Sequence, residues 1–91
     1  MKWLEVIKLQ SAGDCQELQE KLLETVDAAS RSGVAEIKTY RHAVLENDFC
    51  VFLYWDSERL EKDGSALGLN LIQAFNKFGL IDHSVWKGEI K

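Results

Sequence analysis

One seven-residue run, Phe49-Cys50-Val51-Phe52-Leu53-Tyr54-Trp55, constrains the fold of this chain more than any other segment. Successive side chains of a strand point to opposite faces, and both alternating sets of this run are apolar or aromatic. A strand with one face in water alternates apolar with polar residues, so the run indicates a strand that is covered on both faces. Other parts of the protein, or a second copy of it, must therefore pack on each side of its sheet.

Size and charge limit the candidate functions. The chain has 91 residues, 46% of them apolar and 29% charged, which is typical of a single folded domain over residues 1–91. The net charge of −4, with Lys and Arg scattered among acids, argues against nucleic-acid binding. No segment approaches the roughly 20 consecutive apolar residues of a membrane span, and Glu5 comes too early for a signal peptide. We therefore expect a cytoplasmic protein with no membrane contact.

The four residues that most often bind metals or form disulfides are far apart in the sequence. Cys15 and Cys50 have no closely spaced partner, and neither does His42 or His83. Zinc sites use paired ligands at short spacing, and structural disulfides are rare in a reducing compartment. We expect two small buried thiols, no metal site and no cofactor.

The hydrophobic periodicity predicts four strands. They are expected over 3–10, from Val34 or Ala35 to Leu45, over 49–55 and over 80–86. A tight turn at 46–48 would join the second strand to the third. A two-residue loop there would give the pairs Val51 with Val44, Leu53 with His42 and Trp55 with Tyr40, whereas a three-residue loop would shift them.

Two helices are predicted between these strands. Asp14 and Glu17 have the form of a capping box that opens a helix ending near Ser32. Ser65 is expected to cap a second helix, which continues to Phe78. Repeats of three and four residues place these side chains on the apolar faces: Cys15, Leu18, Leu22, Leu23, Val26 and Ala29 in the first helix, and Leu67, Leu71, Phe75 and Phe78 in the second. Gly68, inside the second helix, predicts either a close approach to its backbone or room left for another group, and we favour the close approach.

The element order β-α-β-β-α-β is that of the ferredoxin-like α+β fold. Its four-stranded antiparallel sheet has the strand order 4-1-3-2, and both helices lie on one face. The runs 3–10 and 49–55 are then central, and the more charged second strand, with Lys38 and Arg41, lies at an edge. Since the helices cover one face only, we expect two copies to pack their other faces together as a homodimer.

Topology, length and two short motifs resemble the dimeric α/β barrel superfamily, and specifically the antibiotic biosynthesis monooxygenase family. The motifs are Leu53-Tyr54-Trp55-Asp56-Ser57 at the end of the hairpin and Val85-Trp86 on the last strand. The resemblance spans nearly the whole chain and implies a homodimer with a small pocket between sheet and helices in each subunit. Some members oxygenate phenolic or quinone-like substrates there without metal or flavin.

Haem-degrading members of the same group carry a tryptophan and a histidine on the second helix and an asparagine on the first strand. This chain has none of the three at those places. We therefore do not expect haem degradation.

His42 and His83 are the candidate catalytic residues. An imidazole exchanges a proton near neutral pH, so either could accept the proton of a bound phenol. In the alternative interpretation both are ordinary strand residues. Four aromatic residues are candidates for binding a small aromatic substrate, or else belong to strand packing and the dimer core: Tyr40, Tyr54, Trp55 and Trp86. Arg41 either neutralises an anionic ligand or faces water.

Three functions compete at this point. A cavity of about 300 Å³ or more between helices and sheet, lined by a histidine, would favour a cofactor-free monooxygenase. A binding module without turnover would have an apolar, aromatic-lined cavity. A dimerisation element would have a filled core, with Leu22, Phe75 and Phe78 packed directly on the sheet.

Overall fold

The protein forms a four-stranded antiparallel sheet with two helices, as seen in a computed structural model that describes residues 2–11, 16–29, 31, 33–45, 47–57 and 59–88. Its elements are β1 (Lys2–Ser11), α1 (Gln16–Ala29), β2 (Glu36–Arg41), β3 (Asp48–Asp56), α2 (Ala66–Phe75) and β4 (Gly79–Lys87). The strands lie in the order β2-β3-β1-β4. Read from the other edge of the sheet, this is the predicted order 4-1-3-2. The predicted ferredoxin-like fold is confirmed.

The two central strands are β1 and β3, as predicted, and one face of each packs under the helices. Glu5 lies opposite Leu53 of β3 and Val85 of β4, which fixes the register of the three strands. The hydrophobic core combines this face with both helices and contains Ile7, Leu9, Leu18, Phe49, Val51, Leu53, Leu71 and Phe75. Leu53 is 0% exposed, as expected for the middle of a covered strand.

The opposite face, which we call the open face, has no helix from the described residues packed on it. Its apolar centre runs across the two middle strands and consists of Leu4, Val6, Cys50, Phe52 and Tyr54. The Phe52 ring contacts the rings of Tyr40 and Tyr54, at centroid distances of 5.3 and 6.2 Å. Both faces of β3 are therefore apolar in three dimensions, as the sequence indicated.

The hairpin between β2 and β3 differs from the prediction. β2 ends at Arg41 rather than Leu45, because the chain turns at His42, whose Nδ1 accepts hydrogen bonds from the backbone N–H groups of Val44 and Leu45, both at 3.0 Å. The register predicted for a two-residue loop is wrong. The observed pairs are Tyr40 with Cys50, Thr39 with Val51 and Ile37 with Leu53.

The first helix is shorter than predicted, because α1 ends at Ala29 instead of near Ser32. Leu23, which we placed on its apolar face, is 72% exposed. It lies about 100° around the helix from Leu22, and only a narrower stripe centred on Leu18 meets the sheet. Asp14 and Cys15, and with them the predicted capping box, lie outside the described residues.

The second helix begins as predicted. The Ser65 hydroxyl accepts a hydrogen bond from the backbone N–H of Gly68, at 2.9 Å, which is the expected N-cap. The helix ends at Phe75, and a single 3-10 turn, Asn76–Phe78, connects it to β4. No helix among the described residues is long and apolar enough to cross a membrane.

Candidate functional site

The candidate site is built around a carboxylate buried under the helices. Glu5 is 0% exposed, and it lies on the same face of β1 as Trp3, Ile7 and Leu9. Removing a charge from water costs several kcal/mol unless partners replace the lost hydration. The side chain must therefore be held by hydrogen-bond donors from the surrounding elements.

Three donors from three parts of the chain surround the carboxylate. Glu5 Oε1 accepts hydrogen bonds from the indole Nε1–H of Trp55, at 3.0 Å, and from the backbone N–H of Ser65, at 3.1 Å. Glu5 Oε2 lies 2.9 Å from His83 Nε2. Strand β3, the start of α2 and strand β4 thus meet at one side chain.

Strand periodicity explains why Trp55 and His83 reach the same carboxylate. Glu5 lies opposite Leu53 on β3 and Val85 on β4. Trp55 is two residues from Leu53, and His83 is two residues from Val85, so both side chains point to the face of Glu5. The antiparallel register places one on each side of β1.

Two glycines leave the space that this pair occupies. A Cβ atom built on Gly68 would overlap Glu5 Oε2, and one built on Gly64 would overlap the His83 ring at Cε1. Gly64 also has a φ of +103°, which disfavours any other residue there. The close approach predicted for Gly68 is confirmed, and its partner is the carboxylate.

One tautomer of the neutral His83 ring complements an ionised Glu5. With the carboxylate ionised, Oε2 accepts the proton carried by His83 Nε2. Nδ1 of that tautomer is a proton acceptor. The His83 side chain is 17% exposed, so the ring reaches the edge of the buried region. An imidazole oriented by a buried carboxylate can accept a proton, and the carboxylate then stabilises the imidazolium.

The structure separates the residues that we predicted for the site. His83 and Trp55 come together through Glu5. His42, the other predicted catalytic residue, follows β2 at the opposite edge of the sheet from β4, and its Nδ1 is engaged in the hairpin turn. The remaining three predicted substrate-binding residues have side chains on the open face: Tyr40, Tyr54 and Trp86.

Glu5 was missed by sequence reasoning, although the sequence contains a signal for it. It is the one acid in the alternating set Trp3, Glu5, Ile7 and Leu9, which is otherwise apolar. A charged residue in the buried set of a central strand indicates a paired buried charge. Its partner His83 lies at the other end of the chain, so only the folded sheet reveals the pair.

The larger clefts in the described part of the chain lie outside the hydrophobic core. A cleft of about 480 Å³ lies at one end of the sheet and is lined by Trp3, Tyr54, Trp55 and Trp86 among others; we call it the sheet-end cleft. A second cleft of about 380 Å³ lies beside the β2–β3 turn; we call it the hairpin cleft, and Lys8, Tyr40, Arg41, His42, Leu45 and Phe49 are among its lining residues. A third, open cleft of about 310 Å³ lies between α1 and the edge of the sheet and is lined by Leu22, Thr39 and Arg41 among others. Deeper between helices and sheet, next to Ile7, Leu18 and Phe75, a cavity measures about 10 Å³.

Metal and thiol chemistry receive no support from the part of the chain that the structure describes. No group of three or more His, Cys, Asp or Glu side chains is arranged there to hold a metal ion. Cys50 is a free, half-buried thiol. Burial raises the pKa of this thiol, and the nearby Lys8 ammonium opposes that shift only in part. A neutral thiol is a poor nucleophile.

Comparison with solved structures identifies the fold. A mutant form of SnoaB from Streptomyces nogalater, a cofactor-independent oxygenase, superposes with a TM-score of 0.76 at 13% identity, over 99% of this chain and 95% of that chain. Rv0793 from Mycobacterium tuberculosis superposes with a TM-score of 0.74 at 14% identity, over 100% and 98% of the two chains. A candidate antibiotic biosynthesis monooxygenase from Nitrosomonas europaea gives 0.72 at 12% identity, over 96% and 89%.

The chain has the antibiotic biosynthesis monooxygenase fold. The resemblance inferred from the sequence is thus confirmed at the level of the fold, which is all that identities this low can show. The sequence matches no family model, and no curated protein matches it with significance. Within this fold, Glu5 and His83 form a buried side-chain pair.

The contact between Gly68 and Glu5 gives a direct test of the site. We expect Gly68→Ala to lower the free energy of unfolding by about 1 to 3 kcal/mol, because the added methyl overlaps the carboxylate. Alanine is otherwise about 1 kcal/mol better than glycine inside a helix, so the sign of the effect is diagnostic. Urea denaturation of the two proteins measures it.

The same substitution in a Glu5→Ala background is the control. With the carboxylate gone, Gly68→Ala is expected to be neutral or stabilising. An equal loss in both backgrounds would show that the helix packs against something other than Glu5.

Proposed function

We propose that the protein is a homodimer of one-domain subunits that oxygenates a small phenolic substrate with dioxygen, without metal or flavin, at the Glu5 and His83 pair. The observation that carries the proposal is the fully buried carboxylate that orients His83 Nε2 at 2.9 Å. In the proposed site His83 carries its proton on Nε2 and Nδ1 is the proton acceptor, and no described residue is hydrogen-bonded to Nδ1. SnoaB, described as a cofactor-independent oxygenase, shares the fold and supports the type of reaction.

The proposed reaction balances with dioxygen as the sole oxidant. His83 Nδ1 takes the hydroxyl proton of the phenol, and Glu5 stabilises the resulting imidazolium. The phenolate passes one electron to dioxygen, and the two radicals combine at the para carbon to give a peroxide. The O–O bond then breaks: one oxygen stays on the ring as the second carbonyl of a quinone, and the other leaves as water with the para hydrogen and the hydroxyl proton. One phenol and one dioxygen give one quinone and one water.

The dimer part of the proposal is supported by the composition of the open face. Leu4, Val6 and Phe52 lie side by side on its central strands, and the Trp86 side chain beside them is 59% exposed in the single subunit. Leu4 and Phe52 are half-buried and Val6 is buried in the single subunit, and an apolar sheet face that no helix covers favours an interface. A two-fold axis through the middle of the sheet would bring the same residues of both chains together.

A second function, binding without turnover, is favoured by the sheet-end cleft. Four aromatic residues line this cleft, and no histidine is among its lining residues. The small cavity beside Phe75 also shows that part of the space between helices and sheet is filled. A planar ligand stacked on the aromatic residues of this cleft would not meet the Glu5 and His83 pair directly.

Oxygen consumption separates the two functions. With a panel of phenols and naphthols that carry hydrogen at the para carbon, we expect the wild-type protein to consume dioxygen and form quinone in equal amounts. His83→Gln should lower kcat at least about 100-fold, because loss of a general base typically costs that much. Asp82→Asn, one residue away on the opposite face of β4, is the matched control and should keep the wild-type rate.

Two results would contradict the oxygenase. Equal rates in the wild type and in His83→Gln would remove the histidine from the reaction. Saturable binding of a naphthol without any oxygen consumption would favour the binding module.

Light scattering coupled to size exclusion tests the dimer. The proposal predicts a mass of about 20.8 kDa, twice the 10.4 kDa of one chain. Phe52→Glu places a charge in the centre of the open face and should shift the mass toward the monomer. Leu23→Glu, an equally drastic change at an exposed position of α1, should leave the dimer intact. A monomeric wild-type protein at micromolar concentration would disprove the interface.

A further inference from the structure

The cleft between α1 and the edge strand β2, which we call the α1–β2 cleft, combines a cation with apolar side chains. Its volume is about 310 Å³, at the lower end of the range of small-molecule sites. Five of its lining side chains come from α1, β2 and β3: Leu22, Leu23, Thr39, Arg41 and Phe49. The proposed oxygenation uses none of them.

Strand register places the strand residues of the cleft on one face of the sheet. Arg41 lies opposite Phe49, and Phe49 belongs to the core under the helices. Thr39 lies opposite Val51, another core residue. Cross-strand partners point to the same face, so Thr39, Arg41 and Phe49 all lie on the face that carries the helices. The open face, where a second copy is proposed to pack, is not needed for this site.

The charge in the cleft has no counter-charge. Arg41 is the one cation among the described residues that line it, and it makes no ion pair with any described residue. No acid from the described part of the chain lines the cleft. An anionic group would balance the guanidinium, and the hydroxyl of Thr39, two residues away on the same face, can donate a hydrogen bond to it.

The apolar part of the cleft suits an aliphatic chain. Leu22 and Leu23 supply the wall on the helix side, and Leu23 is 72% exposed, so its side chain is available to a ligand. Phe49 is 7% exposed, and the Arg41 guanidinium lies over its ring, 5.2 Å from the centroid. No free ring face is therefore offered for stacking, and a methylene chain matches these walls better than an aromatic ring does.

The cleft has room to extend inward. The cavity of about 10 Å³ between helices and sheet shares Leu22 and Phe49 with it, and every other residue that lines this cavity is apolar. Among the described side chains of α1, only Leu18 is buried, so few buried contacts hold this helix on the sheet. A small displacement of α1 would join the cavity to the cleft and admit the end of an aliphatic chain.

We propose that the α1–β2 cleft binds a medium-chain aliphatic carboxylate. The carboxylate lies at Arg41 and Thr39, and the chain runs along the two leucines of α1 toward Phe49. Charge-assisted hydrogen bonds from the guanidinium supply the preference for an anion, and burial of methylene groups supplies a dependence on chain length. The site shares no residue with the proposed oxygenase centre, so failure of one proposal leaves the other standing.

A titration followed by two-dimensional amide NMR of the full chain tests the proposal. Octanoate and hexanoate differ in chain length, whereas hexanoate and 1-hexanol differ in charge. We expect saturable shifts with octanoate at the amides of residues 19–23 and 39–41, and an affinity about tenfold higher than that of hexanoate, because two more methylenes are buried. The affinity of 1-hexanol should be at least about fivefold lower than that of hexanoate.

Two results of this titration would overturn the proposal. Equal affinity of hexanoate and 1-hexanol would show that Arg41 does not bind the carboxylate. Shifts centred on Phe52 and Trp86 would place the aliphatic chain on the open face instead of in the cleft.

Matched variants assign the binding to named side chains. Arg41→Gln should weaken octanoate binding about five- to tenfold. Leu23→Gln, at an exposed position of α1, gives a second, independent loss of about fivefold if Arg41→Gln folds poorly. Lys38→Gln removes a cation from the same edge strand, but Lys38 lies opposite Phe52 on the open face, so this variant should bind as the wild type does. Equal affinities for Arg41→Gln and Lys38→Gln would contradict the proposed site.

Discussion

The buried carboxylate of Glu5 is the interaction on which the arrangement of this chain depends. It lies in the middle of a central strand with no exposure to water, and it receives its hydrogen bonds from β3, β4 and the first residue before α2. An apolar residue there would pack against its neighbours with little directional preference. A charged group requires specific donors, so it fixes where the second helix starts and which histidine faces the core.

The same constraint accounts for several local features around the second helix. Gly64 and Gly68 lack side chains where the carboxylate and the imidazole need room. Ser65 caps α2 with its hydroxyl and gives its own backbone N–H to Glu5. The helix start, its glycine and the buried pair are therefore one unit, and a change in any of them is expected to disturb the others.

The sequence predicted the fold because the relevant signals are local. The apolar run 49–55 indicated a doubly covered central strand, Ser65 indicated a helix cap, and Gly68 indicated a close contact. The hairpin register was not predictable, because it depends on a side chain, His42, that bonds the backbone of its own turn. The pairing of Glu5 with His83 was missed because the two residues are distant in the chain and meet only through strand register.

The candidate site was predicted only in part, because its residues meet through contacts between strands that are distant in the chain. His83 and Trp55 both contact Glu5, whereas Tyr40, Tyr54 and Trp86 lie on the other face of the sheet. Alternation along a strand shows which residues share a face but not which face meets the helices. Once the helices are placed, the aromatic residues divide into those near Glu5 and those on the open face.

Nitrogen NMR of the histidine side chains tests the central claim most directly, because it reports which ring nitrogen carries the proton. The structure predicts that, in the neutral state, His83 is protonated on Nε2, held by the Glu5 carboxylate, with Nδ1 unprotonated. The Glu5→Gln variant should lose this fixed state and show a mixture of the two tautomers. A proton on Nδ1 in the wild-type protein would mean that His83 accepts a hydrogen bond from Glu5, and the ring could not act as the proposed proton acceptor.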